Sequence, residues 1–147
     1  MNPRASRSPR PVELRLPPQP GSVSAARNEV AEFVERVGAQ SDDAALAVTE
    51  AVANAVEHGF RGSGEGTIVV RIETLVPDTL AVTVSDDGVG ISPNPDRTGL
   101  GLGLALIGKL SSELEIRSTP PHGTRVHMRF PLTSRPAPAE RDAASTS

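Results

Sequence analysis

Glu50, Asn54 and His58 stand four residues apart in the stretch EAVANAVEH. On a helix this spacing puts an acid, an amide and an imidazole on one face. A carboxylate so placed can take a proton from an attacking hydroxyl. An amide oxygen can ligate Mg²⁺. The same stretch also describes an ordinary amphipathic helix whose polar face meets solvent, so the stripe alone leaves both readings open.

A second candidate lies at Asp86 in VSDDGVG. A strand-like run ends on an acid, and Gly88 and Gly90 let the backbone turn tightly against a ligand. A carboxylate there can accept a hydrogen bond from an exocyclic amine such as that of adenine. Asp-Asp-Gly is equally good β-turn chemistry. The third candidate is TGLGLGLALIGKLS, residues 98–111. Gly99, Gly101 and Gly103 come just ahead of an apolar helical run, so backbone N–H groups at a helix N-terminus could close on phosphate. A packing turn is the other reading. The dinucleotide pattern G-x-G-x-x-G fails here, because its last position falls on Leu104 or Leu106. The pattern G-x-x-x-x-G-K-[ST] fails at Leu110, which offers no hydroxyl to a metal, and its Gly108 and Lys109 fall late in the helical run.

The chain that must position these groups has 147 residues, enough for about one domain. Aromatic residues make up 2% of it, all Phe, so the core is built from Val, Leu, Ile and Ala. So few rings argue against a base-stacking platform for single strands, and a net charge of −3 gives no nucleic-acid footprint. No cysteine is present, which excludes disulfides and thiolate metal sites. No apolar run reaches the ~18 residues of a membrane span, and the basic start MNPRASRSPR has no apolar signal segment. A cytoplasmic protein is expected, without direct contact to nucleic acid or membrane.

Pro- and Ser-rich ends predict disorder over 1–11 and 133–147, leaving one domain at 12–132. Val12 to Leu16 alternates as a half-buried strand. Helical spacing follows from Val23 to Val37, with Gly38 as C-terminal cap. Ser41 is expected to cap a second helix that carries Asp42 and Asp43 in its first turn and runs to about Glu57. Strands are expected at Thr67–Leu75, Leu80–Ser85, Leu114–Ser118 and Thr124–Leu132, and a helix from about Gly101 to Leu110. The fold class is α+β: a two-layer sandwich with a mostly antiparallel mixed sheet and helices on one face.

Taken in order, E-x-x-x-N, D-x-G-x-G, G-x-G-x-G-L and a late Gly123-Thr124 resemble the N, G1, G2 and G3 boxes of the GHKL ATPases, the histidine kinase-like Bergerat fold. The resemblance covers roughly residues 12–132. AVTEAVANAVEHGF and AARNEVAEFV are similar to the small anti-sigma-factor serine kinases of Gram-positive bacteria. That resemblance implies ATP and Mg²⁺ as cofactors. It implies Glu50 as general base, Asn54 as the Mg²⁺ ligand and Asp86, rather than Asp87, as the partner of the adenine amine. Gly88 and Gly90 would shape the adenine pocket. Gly99, Gly101 and Gly103, with Leu104, would surround the phosphates beneath a lid at about 91–100, in which Arg97 is the one cation. Thr124 would support Asp86, and Arg27 would touch a partner. The implied activity is phosphorylation of a serine on a STAS-domain anti-anti-sigma antagonist. The implied partners are that antagonist, a sigma factor and a second copy in a homodimer.

Two other functions remain open on the sequence: a nucleotide-switched binding module without kinase activity, and a stand-alone ATPase module serving a sensor system. A histidine-kinase reading is weakened because His58, His122 and His127 are the only histidines and none lies on a separate helical hairpin.

Overall fold

The computed structural model describes residues 9–59, 66–76, 78–88, 100–118 and 123–134. Strand β1 is Val12–Leu16, helix α1 Gly21–Arg36, strand β2 Ala39–Gln40 and helix α2 Asp42–Asn54, continued by a π-helical turn at Ala55–Gly59. Strands β3 (Ile68–Leu75) and β4 (Thr79–Asp86) follow, then helix α3 (Leu100–Leu110), strands β5 (Glu113–Ser118) and β6 (Thr124–Pro131), and the short β7 (Thr133–Ser134).

Five strands form one sheet in the order β1-β3-β4-β6-β5, and β2 pairs with β7 in a second, two-stranded ladder. The expected mixed sheet is antiparallel in every pairing observed. Topology supplies the reason. A single crossover helix returns the chain parallel, but two successive helices join β1 to β3 and reverse the direction. Strand β6 then inserts between β4 and β5, so the two strands flanking α3 never pair.

Alternation places every second residue of each strand under the helices. Ile68, Val70 and Ile72 of β3, Leu80, Val82 and Val84 of β4, and Val126, Met128 and Phe130 of β6 are buried there. They pack against Val30, Phe33 and Val34 of α1, Ala44, Ala47, Val48, Ala51 and Val52 of α2, and Ile107 of α3. Each such aliphatic or aromatic side chain contributes ~1.5–3 kcal/mol by leaving water. Helix α2 packs on both β4 and β6 and lies between α1 and α3.

Gly38 ends α1 as its sequence position implies: φ is +70°, and its N–H donates to the Glu35 carbonyl at 2.9 Å. Ser41 does occupy the N-cap of α2, but its side chain makes no capping hydrogen bond. The first turn is instead favoured by Asp42 and Asp43, whose charges suit the positive end of the helix. The expected α-helix to Glu57 ends at Asn54, where the backbone passes into the π turn. Gly90, Gly99, the lid with Arg97, and the terminal segments 1–8 and 135–147 lie outside the described residues.

Candidate functional site

On β4 the core alternation Leu80, Val82, Val84 makes residue 86 the next inward position, and that position holds an acid. Strand register sets Asp86 opposite Ile68 on one side and Thr124 on the other, with Ser118 beyond Thr124 and Leu16 beyond Ile68. The last row of the core face is therefore partly polar, and Asp86 and Thr124 sit at its centre. Thr124 is 2% exposed.

The Asp86 carboxylate accepts a hydrogen bond from the Gly88 N–H at 3.0 Å and one from the Thr124 backbone. Burial pushes its pKa above the ordinary 3.8, and neighbouring Asp87 adds to the rise, while the two backbone donors oppose it. The Asp86–Gly88 bond is an Asx-turn contact. The turn reading and the ligand reading of DDGVG thus coexist, because a carboxylate has about four acceptor positions. Asp87 behaves differently: it is exposed, and its Oδ1 accepts the Thr67 N–H at 2.9 Å, tying the start of β3 to the end of β4. Gly88 is buried beside Asp86.

Helix α2 brings Asn54 toward this row. The first turn of α2, Asp42 and Asp43, shares a pocket with Phe130 and Pro131 at the far end of β6. The helix crosses β4 and β6, so its last turn points to the Thr124 end. Among the described residues, Asn54 Nδ2 is the one buried side-chain polar atom without a hydrogen-bond partner. Such an unmade donor costs ~1–3 kcal/mol, and an amide with spare capacity at a helix end fits a bound ligand. Its nitrogen can donate to a phosphate oxygen, and its oxygen can ligate Mg²⁺. Glu50 lies one turn earlier on the same helix and is half-buried. Nearby Thr49 is already engaged, its hydroxyl donating to the Ala45 carbonyl at 2.9 Å.

In the π turn the backbone bonds i to i+5 and takes more residues per turn, so the α-helical register that gives Glu50 and Asn54 a shared face ends at Asn54; the His58 side chain lies outside what the structure describes. Helix α3 runs Leu100–Leu110, within one residue of the expected span from about Gly101, so Gly101 and Gly103 belong to its first turn. The N–H groups of that turn have no intrahelical partner, which keeps them available to an anion. Leu104 packs against the core. Gly108 and Lys109 lie in the last turn of α3, far from its N-terminus. Arg27 is exposed on α1 and does not join the Asp86 row. Ser118 and Ile68, which flank the site, were not read from the sequence; extending the strand alternation into a register would have found them.

Among the described residues no three His, Asp or Glu side chains form a metal cluster, and no helix is long and apolar enough to cross a membrane.

Comparison with known proteins gives the same picture. The family described as Histidine kinase-like ATPase domain matches residues 16–130. The chain is 35% identical over 118 residues to an anti-sigma F factor of Pasteuria penetrans, covering 70% of this chain and 78% of that one. It is 30% identical over 125 residues to an anti-sigma F factor of Clostridium novyi (strain NT), covering 76% and 87%. The solved structure of the RsbU and RsbW domains of a Mycobacterium tuberculosis protein superposes with a TM-score of 0.68 at 28% identity, covering 88% of this chain and 34% of that longer one. The chain belongs to the histidine kinase-like ATPase family and, within it, to the anti-sigma factor branch.

Proposed function

We propose that this protein binds ATP, sequesters a sigma factor, and phosphorylates a serine of a STAS-domain antagonist. The observation that supports this reading is the buried, unpartnered Asn54 Nδ2, one turn beyond a half-buried Glu50 at the end of α2. An acid at the end of β4, an amide at the end of α2 and a carboxylate one turn before it support roles toward adenine, phosphate and an attacking hydroxyl in turn.

In this reading Asp86 accepts the adenine amine, Thr124 holds Asp86, and Gly88 keeps the turn close to the ring. The first-turn N–H groups of α3, at Gly101 and Gly103, meet the phosphates, with Gly99 and Gly90 completing the loops. Asn54 holds Mg²⁺, which supplies charge neutralisation on the phosphates when bound. Glu50 accepts the proton of the partner's serine hydroxyl as that oxygen bonds to the γ-phosphorus and ADP departs. Phosphoryl transfer asks mostly for positioning and electrostatics, and a carboxylate and an amide one turn apart on a rigid helix supply both. Arg27, exposed on α1, is the partner-contacting residue. A homodimer, a cytoplasmic location and a domain at 12–132 belong to the same reading.

Affinity capture from a lysate of the source organism, run once with ATP and once with ADP, tests it. The expected result is a sigma factor with ATP, a STAS-domain protein with ADP, and phosphoserine on the latter after incubation with ATP. Capture of both partners without any phosphoserine would leave a nucleotide-switched binding module in place of a kinase.

A further inference from the structure

The face of the sheet turned away from the helices carries a trough of about 530 Å³. Its floor is short: Val69, Thr83 and Ser85 stand in the middle strands, while long charged side chains rise around them. Outward positions along the five strands carry the arginines Arg15, Arg71, Arg117, Arg125 and Arg129 and the glutamates Glu13, Glu73, Glu113 and Glu115.

The charges are not evenly matched. Glu13 serves both Arg15 and Arg71, at 3.5 and 3.7 Å; Glu73 also meets Arg71, at 3.7 Å. Glu113 meets Arg129 at 3.2 Å, and Glu115 pairs with Arg117. Arg125 is exposed, and no described acid meets it. Register places it directly opposite Arg117 on β5, with Ser85 opposite on its other side. Like charges directly across a strand pair are unfavourable. Arg117 is held by Glu115, so the Arg125 guanidinium and the Ser85 hydroxyl beside it are the donors left over at this end of the trough. The neighbouring His127 is already committed: its Nδ1 lies 2.8 Å from Thr83 Oγ1, and Arg129 Nε approaches its Nε2 at 3.4 Å. The positive charge without a described acid therefore lies at Arg125, next to the Arg117–Glu115 pair.

We propose that this trough is a docking surface for an acidic segment of a partner protein, its carboxylates seated on Arg117, Arg125 and Ser85. Guanidinium forks suit carboxylates bidentately, and a surface site of this kind sets orientation and encounter rate. A second copy of this chain is the poorer occupant of this trough, because it would bring the same opposed arginines. The location adds a consequence. Ser85 precedes Asp86 on β4, and Arg125 follows Thr124 on β6, so the docking residues and the Asp86 row occupy opposite faces of the same two strands.

The test is fluorescence anisotropy of a labelled Glu/Asp-rich peptide against the full chain at low ionic strength. Arg117→Glu/Arg125→Glu is expected to weaken binding at least about tenfold, and Arg117→Gln/Arg125→Gln less. Arg36→Gln, an exposed change on α1, should leave it unaltered. Circular dichroism melts of each variant establish that the fold is intact. Equal binding by wild type and the double charge reversal overturns the proposal. So does a change of sedimentation behaviour showing that the reversal splits a dimer, since the occupant would then be a second copy. The peptide measurement needs neither ATP nor phosphate transfer, so it stands or falls separately from the kinase reading.

Discussion

Asp86 and Thr124 are register partners on adjacent antiparallel strands, both on the helix-facing side, and the Thr124 backbone hydrogen-bonds to the Asp86 carboxylate. Each takes a position that the alternation of its strand reserves for core residues. The pair is a polar continuation of the hydrophobic core that carries a half-buried acid.

Replacing that acid should separate stability from function. The folded-state pKa of Asp86 lies above 3.8, so the folded chain holds this proton more tightly than the unfolded chain. Stability contributed by the group is present at low pH and is lost as pH rises through the folded value. Asp86→Asn removes the buried charge while its Oδ1 can still accept the Gly88 N–H. The variant should melt at a higher temperature than wild type near neutral pH, and the difference should shrink as pH falls through the folded pKa. If Asp86 is the adenine acceptor of the proposed function, ATP affinity should collapse in the same variant, because the charged acceptor becomes a neutral amide. Calorimetric titration and melting curves on the same preparations check both arms, and undiminished ATP affinity would remove Asp86 from the adenine site.

Acidification should act on the wild type in the same sense. An adenine amine needs the carboxylate form of Asp86 as acceptor, and the raised pKa brings its protonation closer to neutrality than for a free Asp. ATP affinity should therefore weaken on acidification while the far-ultraviolet dichroism is still native. Titrations across a pH series, with dichroism on each sample, measure this. Constant affinity down to the onset of unfolding would contradict it.

Glu50→Gln keeps the shape of the side chain and removes its basicity. ATP binding should be unchanged, and phosphate transfer to the partner serine should fall by about 10²–10⁴. Rapid-quench measurement with a saturating partner checks the chemical step, and transfer at the wild-type rate would show that Glu50 is not the base.

Much of this site was legible before any coordinates. Alternation over Leu80–Ser85 fixes which way residue 86 points, and the spacing of Glu50 and Asn54 fixes a shared helix face. Other features lacked a local signal. A π turn is defined by i to i+5 bonds, and the apolar spacing of Ala55 and Val56 suits an α-helix just as well. Strands β2 and β7 are two residues each, too short to show a period. The missing Ser41 cap depends on a side-chain rotamer, and the isolation of Asn54 Nδ2 depends on tertiary packing around the end of α2. The opposed arginines were present as single letters, but only register makes Arg117 and Arg125 neighbours.

Gly38 offers a test of local backbone control apart from the site. Its φ is +70°, and a Cβ built on it meets nothing within 4 Å. Gly38→Ala therefore isolates the conformational term, with no steric contact to confuse it. A left-handed Ala costs ~1–2 kcal/mol, whereas Asn tolerates that region better. Denaturant melts should show Gly38→Ala destabilised by about that amount and Gly38→Asn by less, with ATP affinity unchanged in both, since the position closes α1 at the end of the chain segment leading into β2. An Ala variant as stable as wild type would mean that the α1 terminus rearranges to a right-handed cap, and the short β2–β7 ladder that follows it would then have to shift as well.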